Sequence, residues 1–143
     1  MFAGLSNRAL QSIAAIATEC RYPINTILFR TGDPGDRMYV IVSGRVRISR
    51  DVPGMGEETL AIFGPGAYFG ELTIVDNAPR NADAHVHEAC NVLEIRKDAM
   101  EHLMFLDRDI ANEVLWNFVK TLASRLRETT DKVTFLAATS KFT

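Results

Sequence analysis

From residue 25 to residue 96 the chain makes only short apolar runs, each closed by glycine, proline or aspartate before a long helix could form. Residues 26–29 are a brief β-rich run, and Thr31-Gly32-Asp33-Pro34-Gly35-Asp36 is dense in turn formers. Residues 38–42 read as a strand that Gly44 breaks. Arg45-Val46-Arg47-Ile48-Ser49-Arg50 alternates strictly, so one face is apolar and the other basic. Pro53-Gly54-Met55-Gly56 makes a hairpin loop, residues 59–63 the next strand, and Gly64-Pro65-Gly66 a turn. The hairpin loop lacks the Lys-Ser or Lys-Thr that a phosphate-cradling P-loop needs. From Arg80 a strand alternates again to Val86. Ala82, Ala84 and Val86 face inwards, and Asn81, Asp83, His85 and His87 outwards. Residues 91–96 are a last strand. Many short strands divided by turn signals restrict the fold to an antiparallel roll or barrel.

Helices flank this region. Ser6 caps a helix over residues 6–19, with Leu10, Ile13, Ala14 and Ala17 on one face, and Pro23 ends any helical reading. Asp98 caps the next helix in a capping box with Glu101, and Met100, Leu103 and Met104 form its apolar face. Asp107 caps a final long helix running to about Val133. The expected architecture is mainly β with flanking helices, in one domain: residues 1–20 helical, 21–96 an antiparallel β-roll, 97–143 helical. A chain of 143 residues supports one such core. Net charge is −2 and the pI about 5.9, which argues against nucleic acid or an anionic membrane as the main partner. No apolar run is long enough to cross a bilayer, and the first residues lack the order of a signal peptide. A cytoplasmic location is expected, with Cys20 and Cys90 as reduced thiols outside any CxxC motif.

The chemistry concentrates in Phe69-Gly70-Glu71-Leu72-Thr73-Ile74-Val75-Asp76-Asn77-Ala78-Pro79-Arg80-Asn81-Ala82. Gly70 has no Cβ and lets the backbone approach whatever the loop holds. The N–H groups after it open a short helix and point at an anion. Pro79 presets an extended entry to Arg80. One carboxylate, one guanidinium and a set of backbone donors then converge on a small space. The bland alternative is a Glu71–Arg80 salt bridge bracing a surface turn.

The wording F-G-E-L-x₆-P-R-x-A closely resembles the phosphate-binding cassette of the cyclic nucleotide-binding domain family. A second match lies outside it, in Gly32-Asp33-x₂-Asp36-x-Met38-Tyr39-x-Ile41-x₂-Gly44-x-Val46-x-Ile48. The resemblance implies that Arg80 pairs with the cyclic phosphate and that Glu71 accepts from the ribose 2′-hydroxyl. It implies donors at Gly70, Leu72 and Ala82, and a place for Phe69 in the cassette. Leu60 and Leu72 supply apolar contacts. At Asn81 the family usually carries Ala, Ser or Thr, and a hydroxyl there goes with guanine preference. The departure leans the expected ligand to cAMP over cGMP.

The final helix carries Leu115, Val119, Leu122, Leu126, Thr129, Val133 and Leu136 at alternating spacings of four and three, a heptad seam. Ile110, Val114 and Phe118 form a second apolar face. The first half is expected on the roll and the second half on its twin in a parallel homodimer. Thr129 and Thr130 interrupt the seam. In dimeric family members of the catabolite activator type, hydroxyl residues at a similar place contact the adenine, which marks both threonines as ligand candidates. In that type the helix leads to a helix-turn-helix domain, for which the remaining residues leave no room. The expectation is therefore no DNA binding by this chain alone, and either a stand-alone sensor or the sensor part of a longer transcription regulator, with an unidentified downstream protein.

An enzyme is not expected. His85-Val86-His87 on a strand resembles the metal motif of cupins, but the glutamate that motif needs is misplaced at Glu88. Glu71 has no second acid, metal or positioned water beside it. No metal and no cofactor beyond a cAMP or cGMP ligand is expected. A protein-interaction domain of the same fold that ignores nucleotides is the remaining alternative.

Overall fold

The computed structural model describes Phe2 and residues 4–140. Helix α1 (Asn7–Ile16) starts as expected, with the Ser6 side chain accepting from the Ala9 N–H. It ends early. Ala17 adopts extended backbone, and Ala17–Tyr22 becomes strand β1. Residues 17–19 are thus strand, against expectation. Cys20 and Tyr22 turn inwards from β1 and pack on the roll, a period of two carried by only two side chains and easily masked by the helical period before it.

The remaining elements are β2 (Ile27–Phe29), β3 (Arg37–Val52), β4 (Gly56–Phe63), β5 (Tyr68–Phe69), α2 (Leu72–Val75), β6 (Asp83–Arg96), α3 (Lys97–Leu106) and α4 (Arg108–Ser140). The strands form one antiparallel sheet in the order β1-β6-β3-β4, with β2 on β6 and β5 on β3. The fold is the expected antiparallel β-roll with an N-terminal helix, a short cassette helix and a long C-terminal helix.

Both long strands join what reads in sequence as two. Gly44 does not break β3. It sits at φ 85°, and the β3–β6 register slips between Ile41 and Val46, so the strand bulges and bends but continues. A Cβ at Gly44 would lie 2.3 Å from the Ala89 carbonyl oxygen, which reserves the position for glycine. In β6 the strand begins at Asp83 rather than Arg80, and it runs through to Arg96.

Asp83 was expected to face outwards, but it is buried. Its Oδ1 accepts from the Thr31 N–H at 2.6 Å and lies 2.9 Å from the Thr31 hydroxyl. The backbone bond from Thr31 leads in holding this carboxyl below its ordinary range. A folded-state value below the unfolded one stabilises the fold above about pH 4, and that contribution is lost as pH falls through the folded value. Asp83→Asn is therefore expected to be less stable than the wild type at pH 7 in urea melts, with the gap narrowing as pH falls below about 4.

Asp98 does not cap α3. The strand runs directly into the helix, and the Lys97 N–H is taken by the Asp36 carbonyl at 2.8 Å. Asp98 pairs instead with Arg96 at 3.2 Å, and Glu101 with Lys97 at 3.8 Å, so the capping box is not formed. Asp107 does cap α4, accepting from the Ile110 N–H at 3.1 Å. Helix α4 continues past Val133 to Ser140. Among the described residues no helix is long and apolar enough to cross a membrane.

The core has two parts, sorted by the two-residue period of the strands. Met38, Tyr68 and Ile95 face the helices and pack with Met100, Ile110, Val114 and Phe118. Tyr39, Phe69, Val86 and Val92 face the interior of the roll. The two residues of β5 are thus divided, one to each side, and the chain that follows them is fixed from both faces. The far part of the α4 heptad seam is not packed on the roll: Leu126, Val133 and Leu136 are each more than half exposed, while Leu122 is half-buried.

Candidate functional site

A cavity of about 650 Å³ opens between the loop after β5, the β3–β4 hairpin and α4. That size lies within the range of about 300–1,000 Å³ usual for small-molecule sites. Arg80 sits at its inner wall, 8% exposed.

The loop between β2 and β3 fixes the Arg80 backbone: its N–H donates to the Asp33 carbonyl and its carbonyl accepts from the Gly32 N–H, each at 2.8 Å. The guanidinium donates to the carbonyls of Gly70 at 3.2 Å and Arg37 at 2.7 Å, and lies 4.2 Å over the Phe29 ring. Nε is buried without a hydrogen-bond partner among the described residues. No carboxylate among them stands within ion-pair distance of it. Burial pushes the Arg80 pKa down, because the cation has lost more to desolvation than the more distant Asp36 and Asp33 carboxylates return. Two glycines make room for it. Gly70 has φ 77°, and a Cβ there would stand 2.8 Å from Nη1 of Arg80; a Cβ on Gly35 would stand 2.2 Å from Thr73 Oγ1. Thr73 uses that space to donate to the Gly35 carbonyl at 2.6 Å, which ties α2 to the same loop.

Glu71 is 3% exposed, and it does not pair with Arg80. Its Oε1 accepts from Arg125 Nη1 at 2.6 Å, so the braced-turn alternative fails. Arg125 comes from α4, donates its other terminal nitrogen to the Tyr68 carbonyl, and stacks 4.5 Å over the Phe63 ring. Sequence reasoning missed Arg125. Its signal was present: continuing the buried stripe Ile110, Val114, Phe118 by further helical turns reaches Thr121 or Leu122 and then Arg125.

The other candidate residues are divided. Phe69 is buried and lines the cavity, with its ring stacked on Tyr39 at 5.0 Å. Gly70, Leu60, Leu72, Asn81 and Thr129 all line the cavity. Thr129 uses its hydroxyl on its own helix, donating to the Arg125 carbonyl at 3.0 Å. Ala82 is buried and lies outside the cavity wall, as does the exposed Thr130. Lys132, not singled out in sequence, lines the cavity mouth and reaches the Leu60 carbonyl at 3.4 Å. His87 approaches Arg47 at 3.4 Å, away from the cavity. No group of three or more His, Cys, Asp or Glu among the described residues is placed to hold a metal ion. Cys90 is buried and Cys20 half-buried, both as free thiols.

Chemically, the cavity offers an unneutralised buried cation at one end, a buried carboxylate a few residues away in the same loop, and apolar walls from Leu60, Phe63 and Leu122. This suits a small anion that also carries a hydroxyl donor and a flat apolar part.

The profile of the family described as the cyclic nucleotide-binding domain matches residues 19–107. The CRP-like cAMP-activated global transcriptional regulator of Mycobacterium tuberculosis is 32% identical over 139 residues, covering 97% of this chain and 60% of that protein. A cyclic nucleotide-binding domain from Methylobacillus flagellatus superposes with a TM-score of 0.84 at 29% identity, over 92% of this chain and 74% of that one. The c-di-GMP-responsive global regulator CLP of Xanthomonas campestris superposes with a TM-score of 0.83 at 28% identity, over 92% of this chain and 65% of that one. The chain spans 52–60% of the length of the curated relatives it matches.

Proposed function

The chain belongs to the cyclic nucleotide-binding domain family, and from that premise we propose that it reversibly binds a cyclic mononucleotide, cAMP in preference to cGMP, as a regulatory signal in the cytoplasm. The observation that carries this is Arg80: a buried guanidinium, held by two backbone carbonyls and lacking a carboxylate, facing a cavity of the right size. A cyclic phosphate supplies the missing charge and can be held by two parallel N–H donors.

The phosphate placement brings the ribose towards Glu71, whose carboxylate accepts the 2′-hydroxyl. Glu71 already holds Arg125 of α4. Ligand and helix therefore meet on one carboxylate, and nucleotide binding shifts the balance between positions of α4. It can do so only by its difference in affinity for those positions. The base lies between Leu60 and the α4 face that carries Thr129. The exposed seam of α4 pairs with a second copy in a parallel homodimer, and the output passes to a downstream protein. DNA binding is not assigned to these residues.

Calorimetric titration of the ligand-stripped protein with cAMP, cGMP and c-di-GMP tests the reading. The expected result is one cAMP per chain at micromolar affinity or tighter, with cGMP at least tenfold weaker. A response to c-di-GMP alone would replace the ligand, and no response to any of the three would leave an interaction domain.

A further inference from the structure

Tyr68 meets α4 with three separate parts of itself. Its hydroxyl lies 2.8 Å from Asn117 Oδ1 and 2.6 Å from Thr121 Oγ1. Its ring meets Phe118 edge-on at 5.6 Å. Its carbonyl accepts from Arg125. Asn117, Thr121 and Arg125 are spaced by four and share one face of the helix. Burial pushes the Tyr68 phenol up to about 12, so it keeps its proton at neutral pH. The residue is fully buried and leads through Phe69 straight into Gly70 and Glu71.

The helix changes character at this contact. Ile110, Val114, Asn117 and Phe118 are buried, Thr121, Leu122 and Arg125 half-buried, and every side chain described from Leu126 onward is exposed. The Glu71–Arg125 ion pair sits one turn beyond the Tyr68 hydroxyl, so its geometry follows the rotation of α4 at Thr121.

We propose that Tyr68 is a positioning residue: its hydroxyl pins α4 through Thr121 so that Arg125 reaches Glu71, and the helix moves beyond this pin when ligand occupies the cavity. The second clause rests on the nucleotide reading given above. The first stands without it. Nothing in the sequence distinguishes this tyrosine from an ordinary core aromatic, and the polar groups it meets lie on a face that reads as mixed.

Hydrogen exchange by mass spectrometry on the whole chain tests both clauses, with Tyr68→Phe keeping the ring and removing only the hydroxyl. Without nucleotide, Tyr68→Phe is expected to speed exchange over residues 117–125 about tenfold, while residues 108–114 stay within about twofold of the wild type. Thr121→Val, made from the helix side, is expected to act on the same segment. With cAMP, the wild type is expected to change protection only beyond residue 121, and Tyr68→Phe to spread that change upstream. Exchange over 117–125 within about twofold of the wild type in Tyr68→Phe overturns the pin. Equal acceleration over 108–114 overturns it too, because general loosening of the core then explains the result. If calorimetry shows no nucleotide binding, the nucleotide reading falls, and the ligand-free exchange still decides the pin.

Discussion

Arg80→Ala is expected to reduce cAMP affinity by roughly thirtyfold or more, the equivalent of about 2–5 kcal/mol. The size follows from what the substitution strands. The cyclic phosphate would enter a cavity whose inner wall is sealed from water, and its charge would meet no cation there. Arg80→Lys is expected to recover only part of the loss, because a single ammonium cannot reproduce two parallel donors while also holding the Gly70 and Arg37 carbonyls. The ligand-free fold should notice much less. The interactions removed are two bonds to backbone carbonyls and a ring contact, and against them stands the relief of a buried cation without a counter-charge. Affinity by calorimetry and melting temperature by circular dichroism should therefore separate. A variant that loses affinity only in proportion to lost stability would place Arg80 in the scaffold instead.

Phe118→Ala is expected to cost about 3–5 kcal/mol of stability, and to lower the melting temperature by about 10 °C or more. Phe118 is 1% exposed and packs α4 with Tyr68 and Met100 in the helix-side core. Its loss leaves a cavity under the stretch of α4 that carries Arg125 towards Glu71. Affinity should fall along with stability, unlike the separation expected at Arg80. Leu136→Ala provides the contrast on the same helix. Leu136 is 64% exposed, so the substitution should leave monomer stability within about 0.5 kcal/mol. Any larger effect of Leu136→Ala should depend on protein concentration, as expected of a side chain buried against a second copy.

The architecture was legible because it rests on periods and punctuation. The alternation of 45–50 and the turn clusters at 31–36 and 53–56 specify a roll whatever the rest of the chain does. The failures share a cause: each lies where an element's limit is set by a partner distant in sequence. Residues 17–19 continue a helical period, and only pairing with residues 93–95 of β6 makes them strand. Gly44 looks like a strand breaker, and only the close passage of Ala89 makes it a bulge inside one strand. Asp98 has the spacing of a cap, but pairing of the Lys97 N–H with the distant Asp36 carbonyl accompanies a helix that starts at Lys97, which leaves Asp98 inside the first turn rather than before it. Asp83 alternates as an outward residue and is claimed by Thr31.

The site was legible to the extent that it lies in one loop. Gly70, Glu71 and Arg80 stand within a dozen residues, and glycine and proline mark the turns between them. The contribution of α4 was not. Arg125 looks like any solvated charge on a long helix until the fold carries it to Glu71, and Thr129 and Thr130 look equivalent until the helix phase puts one on the cavity and the other off it. The expectation that Glu71 and Arg80 either bind a ligand or brace one another also missed a third arrangement, in which each is held by a different part of the fold.

The most direct test of the central claim is to follow the Arg80 Nε–H resonance in arginine ¹⁵N-edited NMR spectra during a cAMP titration, assigned by comparison with Arg80→Lys. This proton is expected to shift downfield and saturate at one cAMP per chain, with the midpoint found by calorimetry, as a buried donor gains an anionic acceptor. A titration that saturates by calorimetry while the Arg80 resonance stays still would contradict it, because the nucleotide would then be bound without the cation on which the whole reading depends.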